Sequence, residues 1–127
     1  MKATLFPTLR EVLELHRILI ERFGGQTGIR DPGLLESALM RPQTGYYKTL
    51  SLEAAALLQS LTQNHAFIDG NKRIAFATTA IFLRMNGYRL KVTADKGESF
   101  LIKKVISQKI PIEEIALWIE RHLAGVG

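Results

Sequence analysis

At 127 residues the chain is long enough to bury a hydrophobic core as a single domain, residues 1–127, without covalent staples. The lack of cysteine excludes disulfides and thiolate metal sites and fits a reducing compartment. A formal net charge of +5 admits acidic proteins or nucleotides as partners, but the cations are interleaved with acids, as in LREVLELHRILIERF, and no Lys/Arg run points to direct nucleic-acid binding.

The N-terminal MKATLFPTLREVLEL lacks the long apolar stretch of a secretory signal, so a cytoplasmic protein is expected. From Leu9 to Phe23 the apolar residues Leu9, Val12, Leu13, Leu19, Ile20 and Phe23 keep helical spacing, with Arg10, Glu14, Arg17 and Glu21 opposite. His16 falls on that apolar stripe and reads as a hydrogen-bonded core histidine. Gly24-Gly25 ends the helix, GGQTGIRD is a loop, and Asp31-Pro32 supplies an N-cap and first residue for a short helix to about Met40. Pro42 closes it, and the irregular RPQTGYYKTL is expected to lie over a neighbouring surface as a flap.

Ser51 can cap the next helix, whose face of Ala54, Leu57, Leu58 and Leu61 extrapolates to His65 and directs that histidine inward. IAFATTAIFLRM is apolar nearly all round, too short to span a bilayer, and is expected to be the central helix. Asn86-Gly87 ends it and YRLKVTA reads as an extended connector. Asp95 with Glu98 looks like a capping box opening a helix through about Gln108. Pro111 opens the last helix, with Ile112, Ile115, Ala116, Ile119 and Leu123 on one stripe, Trp118 in the core and His122 in its last turn. The sum is an all-α bundle of about six helices.

HAFIDGNKR, His65 to Arg73, concentrates chemistry between two of those helices. Free backbone N–H groups where the second helix begins suit an anion, Lys72 and Arg73 add charge, and Gly70 lets the backbone approach a phosphate. Arg73 can grip phosphate oxygens bidentately, Lys72 acts as a point charge, and Asn71 either fixes the loop or donates to a phosphate. His65 is of the residue type that takes a proton from a hydroxyl near neutral pH. Asp69 offers hard oxygens to Mg2+ or else orients its neighbours. Phe67 reads as the apolar pin of the loop. Taken singly, each residue has an ordinary structural explanation. Together, the six specified types at this spacing would arise by chance on the order of once in ten million start positions.

HAFIDGNKR resembles the HxFx[DE]GN[GK]R motif of the Fic/Doc superfamily, and in particular of the death-on-curing (Doc) toxins of type II toxin-antitoxin systems. LHRILIERFGGQTGIRDPGLLESALMRPQ, NGYRL and IPIEEIALWIERHL are similar to the family's N-terminal half, post-motif turn and last helix. The resemblance implies a Fic fold and a loop that uses ATP and Mg2+ to modify a protein hydroxyl, with His65 and Asp69 catalytic and Gly70, Asn71, Lys72 and Arg73 on the phosphates. Fic enzymes typically transfer AMP, whereas Doc toxins are kinases that phosphorylate a threonine of translation elongation factor Tu. Lys72 in place of a second glycine, and Phe76 in place of a second arginine, favour the kinase. Gly70 is Fic-like where Doc has alanine, and Ala66 replaces a frequent proline. The [ST]xxxE[GN] autoinhibitory motif is absent, which implies restraint by a Phd-like antitoxin whose C-terminal segment fills a groove. Tyr46 and Tyr47 either border the substrate groove or are ordinary loop tyrosines. The competing expectations are AMP transfer and a catalytically silent binding module.

Overall fold

Residues 3–125 are described by the structure, a computed structural model. Thr8 opens the first helix by a reciprocal cap: its hydroxyl accepts from the N–H of Glu11 at 3.1 Å, and the Glu11 carboxylate accepts from the N–H of Thr8 at 2.9 Å. The helix that follows, α1 (Leu9–Phe23), buries Val12, His16 and Ile20, four residues apart on one stripe. Asp31 caps α2 (Pro32–Met40) by accepting from the N–H of Leu34 at 3.1 Å, with Pro32 at the first helical position as its sequence predicts. A 3-10 turn over Arg41–Thr44 leads into the segment before α3 (Leu50–Asn64).

Thr49, not Ser51, caps α3. Thr49 has the extended backbone that an N-cap requires and its hydroxyl accepts from the N–H of Leu52 at 3.1 Å, whereas Ser51 is already inside the helix and buried. The same displacement occurs before α5 (Ala94–Phe100), where Thr93 is the cap and Asp95 and Glu98 lie within the helix. That helix passes directly into a π-helical stretch, Leu101–Ser107, and α6 (Ile112–Arg121) follows. Tyr88–Leu90 (β1) and Leu123–Gly125 (β2) pair antiparallel with Tyr88 opposite Gly125, so Leu123 belongs to a strand, not to the stripe of the last helix. The extended connector expected after Asn86-Gly87 begins with β1, and its partner is β2, the strand that follows α6.

The six helices surround one hydrophobic cluster. The middle position falls to α3, which packs against α2, α4 (Asn71–Met85), α6 and the π-helical stretch. Its consecutive Ala54, Ala55 and Ala56 are fully buried because small side chains let neighbours approach from several directions. The expected central helix, α4, buries Ile74, Ala75, Thr78, Thr79, Phe82 and Leu83 but leaves Ile81 40% exposed on its outer edge. Aromatic stacks close the ends of the core, Phe6 on Phe82 at 5.2 Å and Trp118 on Phe100 at 3.9 Å. Among the described residues no helix is long and apolar enough to cross a membrane.

Leu57 on α3 is fully buried and Leu117 on α6 is 50% exposed. Leu57→Ala is therefore expected to cost about 2–5 kcal/mol in urea unfolding, and Leu117→Ala about 0.5 kcal/mol or less. Equal losses at the two positions would contradict this placement of the core.

Candidate active site

α3 ends at Asn64, and His65 takes left-handed backbone angles (φ 52, ψ 48). This turn corrects the expected inward direction of His65: helical spacing extrapolates only while the backbone stays helical, and here it breaks one residue earlier, leaving the imidazole exposed. The next two residues, Ala66 and Phe67, dive into the core at 2% exposure each. Phe67 packs against His16 of α1. Its ring lies flat on that of His16, centroids 3.8 Å apart, and the Asn71 carboxamide accepts from its N–H at 3.0 Å and donates to its carbonyl at 2.9 Å. The side chain of Asn71 thus fixes the loop, and the donor it has left for an anion is its backbone N–H.

His16 is the buried, hydrogen-bonded histidine its position on α1 suggests, and its partner is the motif itself. Its Nε2–H donates to the carbonyl of Asp69 at 2.8 Å, a tautomer set by the fact that a carbonyl only accepts. The Asp69 carboxylate accepts from the N–H of Gln26 at 3.0 Å and from that of Gly70 at 2.8 Å. These two bonds, with the nearby charge of Arg73, hold its carboxyl below the usual aspartate value of 3.8.

The loop between α1 and α2 forms a clamp over the motif that the sequence alone reads only as a loop. Ile68 N–H donates to Gly28 O at 3.1 Å, and the N–H groups of Arg30 and Asp31 donate to Ala66 O at 2.7 and 3.0 Å. The Arg30 guanidinium reaches His65 O through Nε at 2.9 Å and Asn64 O through Nη2 at 3.5 Å. Gly25 has a φ of 118°, and a Cβ there would stand 2.7 Å from Asp69 Oδ2, so the close approach depends on glycine. Its trace in the sequence is the run of glycines in GGQTGIRD.

Gly70, at φ 77, turns the chain into α4. A side chain there would point at Ile20 Cδ1 (3.3 Å) and His16 Nε2 (3.6 Å), so glycine serves the left-handed turn and the packing beneath it. Ile74 N–H makes the first bond of α4, to Gly70 O at 2.9 Å. The N–H groups of Asn71, Lys72 and Arg73 have no acceptor among the described residues. The side chains of Lys72 and Arg73 are exposed, and neither is within ion-pair distance of a carboxylate among the described residues. Arg73 rests over the ring of Phe23, 4.8 Å from its centroid.

A cleft of about 390 Å³ opens at this helix end. Asp69, Gly70, Asn71, Lys72 and Arg73 form a polar wall, Leu19, Phe76, Ala77, Ala94 and Leu101 an apolar one, and Glu98 adds a second carboxylate. Phe76 packs on the bare backbone of Gly97. His65 and Phe67 do not line the cleft; Phe67 lies beside a smaller cavity with His16. Among the described residues no three His, Cys, Asp or Glu side chains gather into a metal cage. Each Asp69 oxygen carries one hydrogen bond and retains a free lone pair, which fits Mg2+ held mainly by phosphate oxygens and water with one protein carboxylate. Tyr46 is exposed on its loop, and the hydroxyl of Tyr47 accepts from Arg41 Nε at 2.7 Å.

The start of α4 thus carries three N–H groups and two exposed cations that have no partner among the described residues, on a helical scaffold. The sequence profile of the Fic/DOC family matches residues 6–83, more than half of the chain, and the chain belongs to that family. It is 45% identical over 101 residues to the Toxin Doc of Mycolicibacterium smegmatis, covering 74% of this chain and 77% of that protein. It is 36% identical over 84 residues to the Protein kinase doc of Escherichia phage P1, covering 63% and 67% respectively. The span matched by the family profile ends before α5, so the wall contributed by Ala94, Glu98 and Leu101 lies outside that profile.

The depressed carboxyl of Asp69 gives a pH test. A carboxyl held low in the folded state contributes stability that is full above the unfolded value of 3.8 and is lost as pH falls through the folded one. Wild type should therefore exceed Asp69→Asn in thermal stability at pH 6, and the gap should close below pH about 3.8. A gap independent of pH would contradict the carboxylate's role in tying Gln26 to Gly70.

Proposed function

We propose that this protein is the toxin of a type II toxin-antitoxin system, acting in the bacterial cytoplasm as an ATP-dependent kinase on a protein hydroxyl. A threonine of translation elongation factor Tu is the proposed target, so that modification arrests translation. The observation that carries the reading is the trio of N–H groups at Asn71, Lys72 and Arg73 with the cations of Lys72 and Arg73, none of them partnered among the described residues. The names of the two relatives, a toxin and a protein kinase, support it.

In this mechanism the three N–H groups and the positive end of α4 hold the phosphates, and Lys72 and Arg73 stabilise the charge spreading over the transferred group. Arg73 leaves its rest over Phe23 to do so. Asp69 would hold Mg2+, which supplies charge neutralisation between the phosphates. The apolar wall around Phe76 and Leu101 gives the base a dry surface. His65 accepts the proton as the target oxygen bonds to the γ-phosphorus; the bond to the β-γ bridging oxygen breaks, ADP leaves, and the imidazole returns its proton to solvent. Lys72, where Fic enzymes have glycine, supports phosphoryl over AMP transfer. Restraint would come from a Phd-like antitoxin whose C-terminal segment folds on binding.

Incubation with labelled ATP and bacterial lysate should label one protein, whose intact mass rises by a phosphate. A rise by a whole AMP would replace the kinase with a nucleotidyltransferase. His65→Ala should keep the fold and lower transfer by roughly 10²-fold to 10⁴-fold. Undiminished transfer by that variant would remove His65 from the chemistry.

A further inference from the structure

Where α3 unwinds, three consecutive carbonyls accept from a single residue of the neighbouring loop. The main-chain N–H of Arg30 donates to Ala66 O at 2.7 Å. Its Nε–H donates to His65 O at 2.9 Å, and Nη2 makes a longer contact of 3.5 Å with Asn64 O. The residue at the middle of this grip, His65, is one of two non-glycine residues with positive φ among those described. A residue with a Cβ disfavours that conformation, so something must hold it there. No side chain among the described residues hydrogen-bonds the imidazole, and its direction therefore depends on the backbone beneath it.

We propose that Arg30 is a positioning residue for His65: its guanidinium clips the end of α3 in the left-handed turn that presents the imidazole outward. Chemistry explains the residue type. The last carbonyls of a helix carry its partial negative charge, and a guanidinium answers with charge-assisted N–H groups on a planar fork that spans two of them. A lysine could reach one carbonyl as a point charge, and a neutral side chain would leave both to water. Arg30 is itself exposed, so its removal takes away orientation and leaves the core untouched. The inference rests on His65 being the base of the proposed kinase.

The test compares wild type, His65→Ala, Arg30→Ala, Arg30→Lys and the Arg30→Ala/His65→Ala double variant. Each is assayed for transfer from labelled ATP to lysate protein at varied ATP concentration, with circular dichroism as the check on folding. Arg30→Ala should lower the apparent kcat by about 10-fold to 100-fold, the scale of a misplaced reacting group, with the KM for ATP within about twofold. Arg30→Lys should fall between, and Arg30→Ala should cost nothing more once His65 is alanine. If Arg30→Ala does not fold, Arg30→Lys decides, by a lowered kcat at constant KM. An unchanged kcat in the folded Arg30 variants, or an equal further loss in the His65→Ala background, would overturn the inference while leaving the kinase intact. Full activity in His65→Ala would overturn both.

Discussion

The flat contact between Phe67 and His16 is the constraint on which the site depends. It anchors the short link between α3 and α4 to the inner face of α1, and the two polar groups of the Phe67 backbone are then closed off by the side chain of Asn71. Because Asn71 is also the first residue of α4, one carboxamide sets both the loop and the start of the helix that follows. His16 adds the third tie, from its ring nitrogen to the carbonyl of Asp69. A chain held in this way cannot let its helix end fray, so the donors at 71, 72 and 73 stay aimed at one volume of space.

The polar groups around that volume divide into those that hold and those that are free. Asn71 spends its side chain on the loop, and Asp69 spends one lone pair of each oxygen on Gln26 and Gly70. Lys72, Arg73 and the three N–H groups have no such commitments among the described residues, and Arg73 is only rested on a ring. Positive potential that is not cancelled by an internal partner is what an anionic ligand requires. Among the described residues the cation paired with carboxylates is Arg17, which bonds Glu14 and Glu21 along α1 and competes with none of this.

Periodicity marks α1 from Leu9 to Phe23, and the pair Asp31-Pro32 marks α2, because both signals are local. The motif was legible for a different reason: His65, Phe67, Asp69, Gly70, Asn71 and Arg73 are close in sequence as well as in space. What escaped was non-local or depended on a single backbone angle. His65 lies where the helical pattern would turn it inward, and one left-handed residue reverses that. Ser51 and Asp95 are good capping residues, yet Thr49 and Thr93 have the extended backbone that decides the matter. Apolar composition suggested a central α4, but it reports how much surface a helix can bury, not how many neighbours surround it, and the run of small residues in α3 governs the latter. The grip of Arg30 joins residues more than thirty apart in sequence, and no spacing rule reaches that far.

The central claim is that the first turn of α4 seats the phosphates of ATP, and amide resonances of uniformly 15N-labelled protein report on it directly. On addition of ATP with Mg2+, the peaks of Asn71, Lys72 and Arg73 should move first and furthest, saturating together with those of Phe76 and Leu101 on the facing wall. Saturable shifts confined to another face, with these three amides unmoved, would show that the helix start is not where the nucleotide binds.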